Sequence, residues 1–251
     1  MMRIGADPEL FLTRKGKLVS CIGLVPGNKW HPVQVDYLPQ GFTLQQDNVT
    51  LEFGIPPAGS REDFVKHIQT IKLAGRKYLK GLSYSTESAV IMPDEEMQTA
   101  EAHIFGCEPD FNAWTGKENK KPSPPHKNLR SAGGHVHVET TLPKEQVIRA
   151  MDLFLGVPSV IMDATGGPRR QLYGAHGAYR PKPYGVEYRT LSNFWIFSPK
   201  YMKWVWDETA NALATVANGY DVLDTRVCEC IDTGYRELAE AIVKQYHLKV
   251  V

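Results

Sequence analysis

The sequence predicts an α+β fold: a mostly antiparallel sheet with helices over one face and the other face left open and polar. Three observations carry this. Segments in which polar and apolar residues alternate occur early, in the middle and late in the chain. The elements run as strands, a helix, strands, two helices, a strand and two helices, not in the strict alternation of a doubly wound parallel sheet. On four strand candidates the polar face carries ionisable groups: Asp7 and Glu9; Glu52; His135, His137 and Glu139; Glu187 and Arg189.

The first strand spans 2–12. Asp7 and Glu9 lie two apart and share a face. Pro8 between them cannot donate to a ladder, which points to an edge or a bulge. A second strand at 17–25 follows a hairpin at Gly16. Residues 26–41 are loop-like, and 42–55 read as one long strand with Asn48, Thr50 and Glu52 on one face. Pro56-Pro57 ends it. Ser60 then starts a helix with Glu62 and Asp63 in its first turn, where acidic groups suit the helix dipole. Phe64, Ile68, Ile71 and Leu79 form its apolar stripe, and Gly81 ends it. Residues 84–92 read as a strand and 104–114 as a turn or short strand. Asp110 and Asn112 in it are turn formers, and 115–129 is a polar connector.

Residues 130–139, Arg-Ser-Ala-Gly-Gly-His-Val-His-Val-Glu, are the centre of the chain. In a strand His135, His137 and Glu139 share one face, and Val136 and Val138 pack on the other. Gly133 and Gly134 let another chain or a ligand approach the backbone closely. Pro143 begins a helix and Pro158 a shorter one to Ala164. The glycine- and arginine-rich stretch 166–184 leads into a strand at 185–191. Ser198-Pro199 caps a helix to about Gly219, and a last helix covers 233–247.

At 251 residues the chain can bury the core of one domain, read here as 1–251. A net charge of +1 gives no basic field for nucleic acid. Cys21, Cys107, Cys228 and Cys230 form no C-x-x-C, which fits a reducing cytoplasm better than a disulfide scaffold. With no apolar run of transmembrane length and no signal peptide, a cytoplasmic protein without membrane partners is expected.

If the four polar faces converge, their carboxylates repel strongly without cations. Carboxylate-rich sites with few imidazoles suit Mg²⁺ or Mn²⁺ rather than zinc. Arg130, Arg169, Arg170, Arg180 and Arg189 add forks that bind phosphate oxygens. Metal plus arginines is what phosphoryl transfer needs, although the chain has neither a Walker A motif nor G-x-G-x-x-G. Two other readings stand beside this one. His135, His137 and a carboxylate could activate water in a metallohydrolase, or the chain could be a non-catalytic metal- or nucleotide-binding protein. The arginine surplus favours phosphoryl transfer over hydrolysis, and the retained carboxylates argue against a non-catalytic protein. Cys107 is expected to be buried and inert.

Five pieces, G-A-D-P-E-L-F at 5–11, D-N-V-T-L-E-F at 47–53, F-G-C-E-P-D-F-N-A-W at 105–114, R-S-A-G-G-H-V-H-V at 130–138 and G-V-E-Y-R-T-L at 185–191, occur in one order. In this the chain resembles the glutamine synthetase and glutamate–cysteine ligase superfamily, and within it the phage-encoded COOH·NH2 ligases. The resemblance implies a curved antiparallel sheet with the site on its concave face. It implies ATP and Mg²⁺ or Mn²⁺, with Asp7, Glu9, Glu52, His135 and Glu187 as metal ligands. Asp7-Pro8-Glu9 stands where relatives have Glu-x-Glu. Arg189 and Arg180 would stabilise the transferring phosphoryl with Glu187 beside them. Arg169, Arg170, Arg130 and His137 would flank nucleotide or substrate. The implied reaction joins a small-molecule or peptide carboxylate to an amine through an acyl phosphate. Neither substrate is identified. A homo-oligomer is open, since relatives often complete a site across subunits, and a phage origin would set the protein in host cytoplasm.

Overall fold

A computed structural model describes residues 2–104 and 110–251. Its strands are β1 (Arg3–Leu10), β2 (Leu12–Arg14), β3 (Lys17–Val19), β4 (Val33–Gln34), β5 (Thr43–Asp47), β6 (Thr50–Gly54), β7 (Ser83–Tyr84), β8 (Ala89–Ile91), β9 (Phe111–Asn112), β10 (Lys117–Glu118), β11 (Leu129–Ser131), β12 (Gly134–Glu139), β13 (Ala178–Lys182) and β14 (Gly185–Tyr188). The helices are α1 (Arg61–Gly75), α2 (Lys144–Met151), α3 (Val157–Met162), α4 (Gly167–Arg170), α5 (Pro199–Ala217), α6 (Arg226–Thr233) and α7 (Arg236–Tyr246). Nine strands among the described residues form one sheet in the order β10-β9-β13-β14-β12-β1-β6-β5-β4. Every neighbouring pair in it is antiparallel.

Alternation gives this sheet its two faces. Ile4, Ala6 and Leu10 of β1, Val136 and Val138 of β12, Leu51 and Phe53 of β6, and Val186 and Tyr188 of β14 are all buried. They share one core with Ile68 and Ile71 of α1, Val147 and Ile148 of α2, and Val205 of α5. Burying each such side chain contributes roughly 1.5–3 kcal/mol, so the helical layer is held by this face. The residues between them point to the other face and form the site described below.

The helical layer is tied to the sheet by one buried carboxylate. α2 runs through a π-helical turn, Asp152–Gly156, directly into α3. The wide turn accommodates Pro158, whose missing N–H and ring would break a regular helix. Asp152 accepts hydrogen bonds from Trp114 Nε1 (2.7 Å), the Gly177 amide (2.7 Å) and the Tyr188 hydroxyl (2.9 Å). Burial pushes its carboxyl up to about 6 against those donors.

Several elements differ from the sequence reading, each for a local reason. The long strand at 42–55 is a hairpin, β5–β6, because Asn48 takes a left-handed conformation (φ 52°) and its side chain holds the carbonyls of Glu101 and Ile104. α1 stops at Gly75, not Gly81, and Leu79 is buried outside the helix. The strand at 84–92 is two short pieces, and α3 continues α2 rather than starting a new run. β13 and α6 are additional elements, and the last helix is shorter, from Arg236 to Tyr246. Pro8 lies in a central strand rather than at an edge. It is tolerated because the β1–β6 pairing covers only Glu9 and Leu10.

The small residues before His135 do admit another chain, which is this protein's own. A side chain on Gly134 would strike the Ser192 carbonyl and the Trp195 indole. Trp195 Nε1 donates to the Gly134 carbonyl (3.0 Å), and the Gly134 amide donates to the Leu191 carbonyl (3.0 Å).

Candidate active site on the polar sheet face

Register brings the ionisable residues together. Asp7 on β1 stands opposite His135 on β12. His137 stands opposite Glu187 on β14, and Glu187 opposite Arg180 on β13. Toward the other edge Glu9 stands opposite Glu52, Glu52 opposite Gln45, and Thr50 opposite Asp47. All of these lie on the face turned away from the helices, so four stretches far apart in sequence meet on one surface.

Asp7 is the hub of one end. Its Oδ1 lies 3.2 Å from His135 Nδ1 and its Oδ2 lies 3.1 Å from His137 Nε2. Asp7, His137 and Glu187 each offer a ligand atom, all within 4.8 Å of one another, an arrangement that could hold a metal ion. Asp7 Oδ1 and His137 Nε2 are buried and make no hydrogen bond of normal geometry. Buried polar atoms in that state suit a cation better than they suit each other. The donor set, two carboxylates and one imidazole, fits Mg²⁺ or Mn²⁺.

The two histidines meet the carboxylates differently. His135 Nε2 lies 3.4 Å from Arg169 Nη2. A guanidinium only donates, so Nε2 is the acceptor and the proton sits on Nδ1, facing Asp7. In this geometry His135 Nδ1 faces Asp7 (3.2 Å) and Glu187 (3.8 Å). Burial and the Arg189 charge push His135 down to about 4, so it is neutral. His137 has Nδ1 within 2.6 Å of the Tyr184 hydroxyl, which leaves Nε2 aimed at the carboxylates. Burial works against its protonation, but the Asp7 charge outweighs burial and raises it. An outer partner of this kind fixes the ring of a metal ligand. Tyr184→Phe should therefore weaken divalent-cation binding about tenfold or more, read from a Mn²⁺ titration, with little change in stability.

The charge is unevenly spread. At the Glu187 end cations are plentiful. Lys182 Nζ lies 2.7 Å from Glu187 Oε2, Arg180 Nη1 lies 3.6 Å from Oε1, and Arg189 Nη1 contacts Oε1 directly. Burial and the Asp7 charge would raise Glu187, but Arg189 and the two histidines outweigh them and hold it at about 2. Asp7 likewise falls well below its ordinary value, with His137 and His135 overcoming burial. At the other end carboxylates outnumber cations. Burial, then the neighbouring Asp7, Asp47 and Glu9, push Glu52 well up. Burial and Asp47 lift Glu9 to about 7, even though the Gly133 amide donates to its Oε2 (2.6 Å). Burial also raises Asp47. Such crowding is relieved by protons or by bound cations.

The arginines separate into two groups. Arg180 and Arg189 lie on the polar face, and Arg189 Nε also approaches Asp110 (3.8 Å). Arg169 is fully buried and donates to the carbonyls of Ala132 (3.1 Å), Thr190 (3.2 Å) and Arg189 (3.0 Å). Arg170 donates to the Ser159 carbonyl (3.2 Å). Arg130 donates to the carbonyls of Ala102, Lys127 and Leu129. These three tie the backbone together, where the sequence suggested phosphate contacts. Glu139 is exposed at the rim, 3.7 Å from Arg3. Asn112 forms the expected turn, accepting from the amides of Trp114 and Thr115. Cys107 lies outside the described residues.

The sequence reading missed Asp47, Gln45, Lys182 and Tyr184. Asp47 was hidden by reading the β5–β6 hairpin as one strand. Lys182 shares a face with Arg180 by the period-two rule, but Pro181 and Pro183 argue against a strand there.

Comparison with known proteins gives a match over part of the chain. Residues 123–241 match the sequence model of a family described as Phage phiEco32-like COOH.NH2 ligase-type 2. The matched segment carries His135, His137, Arg180, Glu187 and Arg189, while Asp7, Glu9 and Glu52 precede it. No curated protein matches the chain. Among solved structures, a bifunctional glutathione synthetase from Pasteurella multocida is similar at 10% identity and a TM-score of 0.48, over 98% of this chain and 49% of that one. The chain thus spans about half the length of that structure. No helix among the described residues is long and apolar enough to cross a membrane.

Proposed function

We propose that this chain is an ATP-dependent carboxylate–amine ligase whose polar sheet face is its active site, in a glutamine synthetase-like catalytic domain. The observation that carries the reading is the meeting of Asp7, Glu9, Asp47, Glu52 and Glu187 with Arg180, Lys182 and Arg189 on one face. Hydrolysis of an amide or ester needs a metal and a water but not this bank of cations. Transfer of a phosphoryl group needs both. The match of residues 123–241 to a COOH.NH2 ligase family supports the same class.

In this reading Asp7, His137 and Glu187 would hold a divalent cation, and the crowded carboxylates Glu9, Glu52 and Asp47 would draw further cationic charge to their end of the face. A divalent cation held there would offset the negative charge that develops on the transferring phosphoryl. Arg189, Arg180 and Lys182 would neutralise the oxygens of the phosphoryl group as it passes to the substrate carboxylate. His135 keeps Asp7 ionised and oriented. The substrate carboxylate attacks the γ-phosphorus, the bond to ADP breaks, and the amine then displaces phosphate from the acyl phosphate to leave an amide. The acid is a small-molecule or peptide carboxylate.

The test is a screen for ADP release. Protein with ATP, Mg²⁺ or Mn²⁺, and pooled carboxylic acids and amines should release ADP only when metal, acid and amine are all present. Metal-dependent hydrolysis of amides or esters without nucleotide would replace the ligase with a hydrolase.

A further inference from the structure

We propose that a groove at one end of the sheet is the subsite for the amine substrate, and that it takes an amine carried on an apolar body. This rests on the ligase reading, which needs an amine beside the polar face. The groove lies between the C-terminal end of β12, the turn joining β13 to β14 and the last turns of α5, and its volume is about 700 Å³. Pockets that bury small molecules commonly have roughly 300–1,000 Å³. Met2, Leu142, Pro183, Leu213, Ala214 and Ala217 give this one apolar walls.

One side chain joins the groove to the polar face. Tyr184 lines the groove, and its hydroxyl lies 2.6 Å from His137 Nδ1. Its ring also stacks on that of His137, with 6.1 Å between centroids. A molecule lying in the groove therefore ends one tyrosine away from the cluster of Asp7, His137 and Glu187. On β14 the residue opposite Glu139 is Gly185, which adds no side chain beside that carboxylate.

Charge selects the occupant. Among the described residues lining the groove, Glu139 alone is charged. It shares the polar face of β12 with His137, two residues or about 7 Å along the strand. A carboxylate at the head of an apolar groove attracts an ammonium group and repels another carboxylate. Of the two substrates that a ligase joins, the amine fits and the acid does not. Arg3 lies 3.7 Å from Glu139, but the two side chains are 53% and 51% exposed, and pairs of that kind are weak. An ammonium group whose apolar body is packed in the groove can therefore compete with Arg3 for the carboxylate. This gives Glu139, the outermost ionisable residue of β12, a part that the cation cluster does not.

The plain alternative is that Glu139 only pairs with Arg3 at the rim. Methyl NMR separates the two, on protein labelled at its Met and Leu methyl groups, with no nucleotide or metal present. The probes are 3-phenylpropylamine and 3-phenylpropionate, alike in shape and opposite in charge. The amine should shift the methyl signals of Met2, Leu142 and Leu213, with a dissociation constant at least about fivefold below that of the acid. Glu139→Gln should abolish or reverse that preference. Ala214→Trp, at an exposed position of α5, should fill the groove and remove the shifts without lowering the melting temperature. Equal binding of the two probes, no binding of the amine, or shifts confined to other methyl groups overturns the proposal on the parent protein alone. So does a folded Glu139→Gln variant that keeps the preference. ADP release by a protein whose groove is unselective would remove this proposal alone. A selective groove without ADP release would remove the ligase reading, and with it the role of the amine as substrate.

Discussion

Asp7→Asn should abolish metal-dependent ATP cleavage, lowering the rate of ADP release at least about a thousandfold, which is roughly 4 kcal/mol of transition-state stabilisation. Asp7 stands between two imidazoles and shares a cation-sized space with Glu187. Asparagine keeps the shape and can still face His135 Nδ1. It removes the negative charge and one anionic ligand, so the cation held by His137 and Glu187 alone is weak. The fold should survive, because asparagine is isosteric with aspartate, although the pairing with His137 and His135 that holds Asp7 low is lost. The check is a coupled ADP assay beside a thermal melt, and ADP release at the parental rate would take Asp7 out of the site.

Arg169→Met should be the most destabilising single change on this side of the molecule, about 3–5 kcal/mol. The guanidinium is buried at 1% exposure, donates to three backbone carbonyls and faces His135. Methionine fills much of the volume but leaves those acceptors without donors. It also leaves Arg189 and His135 without the group that fixes their backbone and ring. Burial already pulls Arg169 down to about 10, with Glu9 opposing and Arg189 adding to the fall, so its charge is held under strain. Urea unfolding should show a lower midpoint with an unchanged slope. An Arg169→Met protein of parental stability that lost only nucleotide affinity would restore the phosphate-binding role that the sequence suggested.

The contrast between Arg169 and Arg189 explains what could be read from the sequence. Period-two alternation is a local signal, and it put Asp7, Glu9, Glu52, His135, His137, Glu187 and Arg189 on polar faces that do meet. The antiparallel α+β architecture was legible for the same reason, since apolar positions such as Val136 and Val138 must be covered by something. What a side chain meets across the fold is not local. Nothing in Gly-Pro-Arg-Arg shows that Arg169 ends among backbone carbonyls while Arg189 meets the carboxylates of Glu187 and Asp110. The proton position on His135 depends on that same distant guanidinium, so it was out of reach. Asp47 and Lys182 were lost to local signals that misled. Asn48 can continue a strand or turn it, and two prolines flanking Lys182 look like a loop even where Pro181 pairs with Val186.

The central claim is that the carboxylate-rich face binds divalent cations together with nucleotide. Electron paramagnetic resonance of Mn²⁺, titrated into the protein with and without ATP, tests it most directly. Bound Mn²⁺ that tightens when ATP is added, and that Asp7→Asn loses, is the predicted result. Mn²⁺ left free in the presence of ATP, or bound equally well by Asp7→Asn, would contradict it.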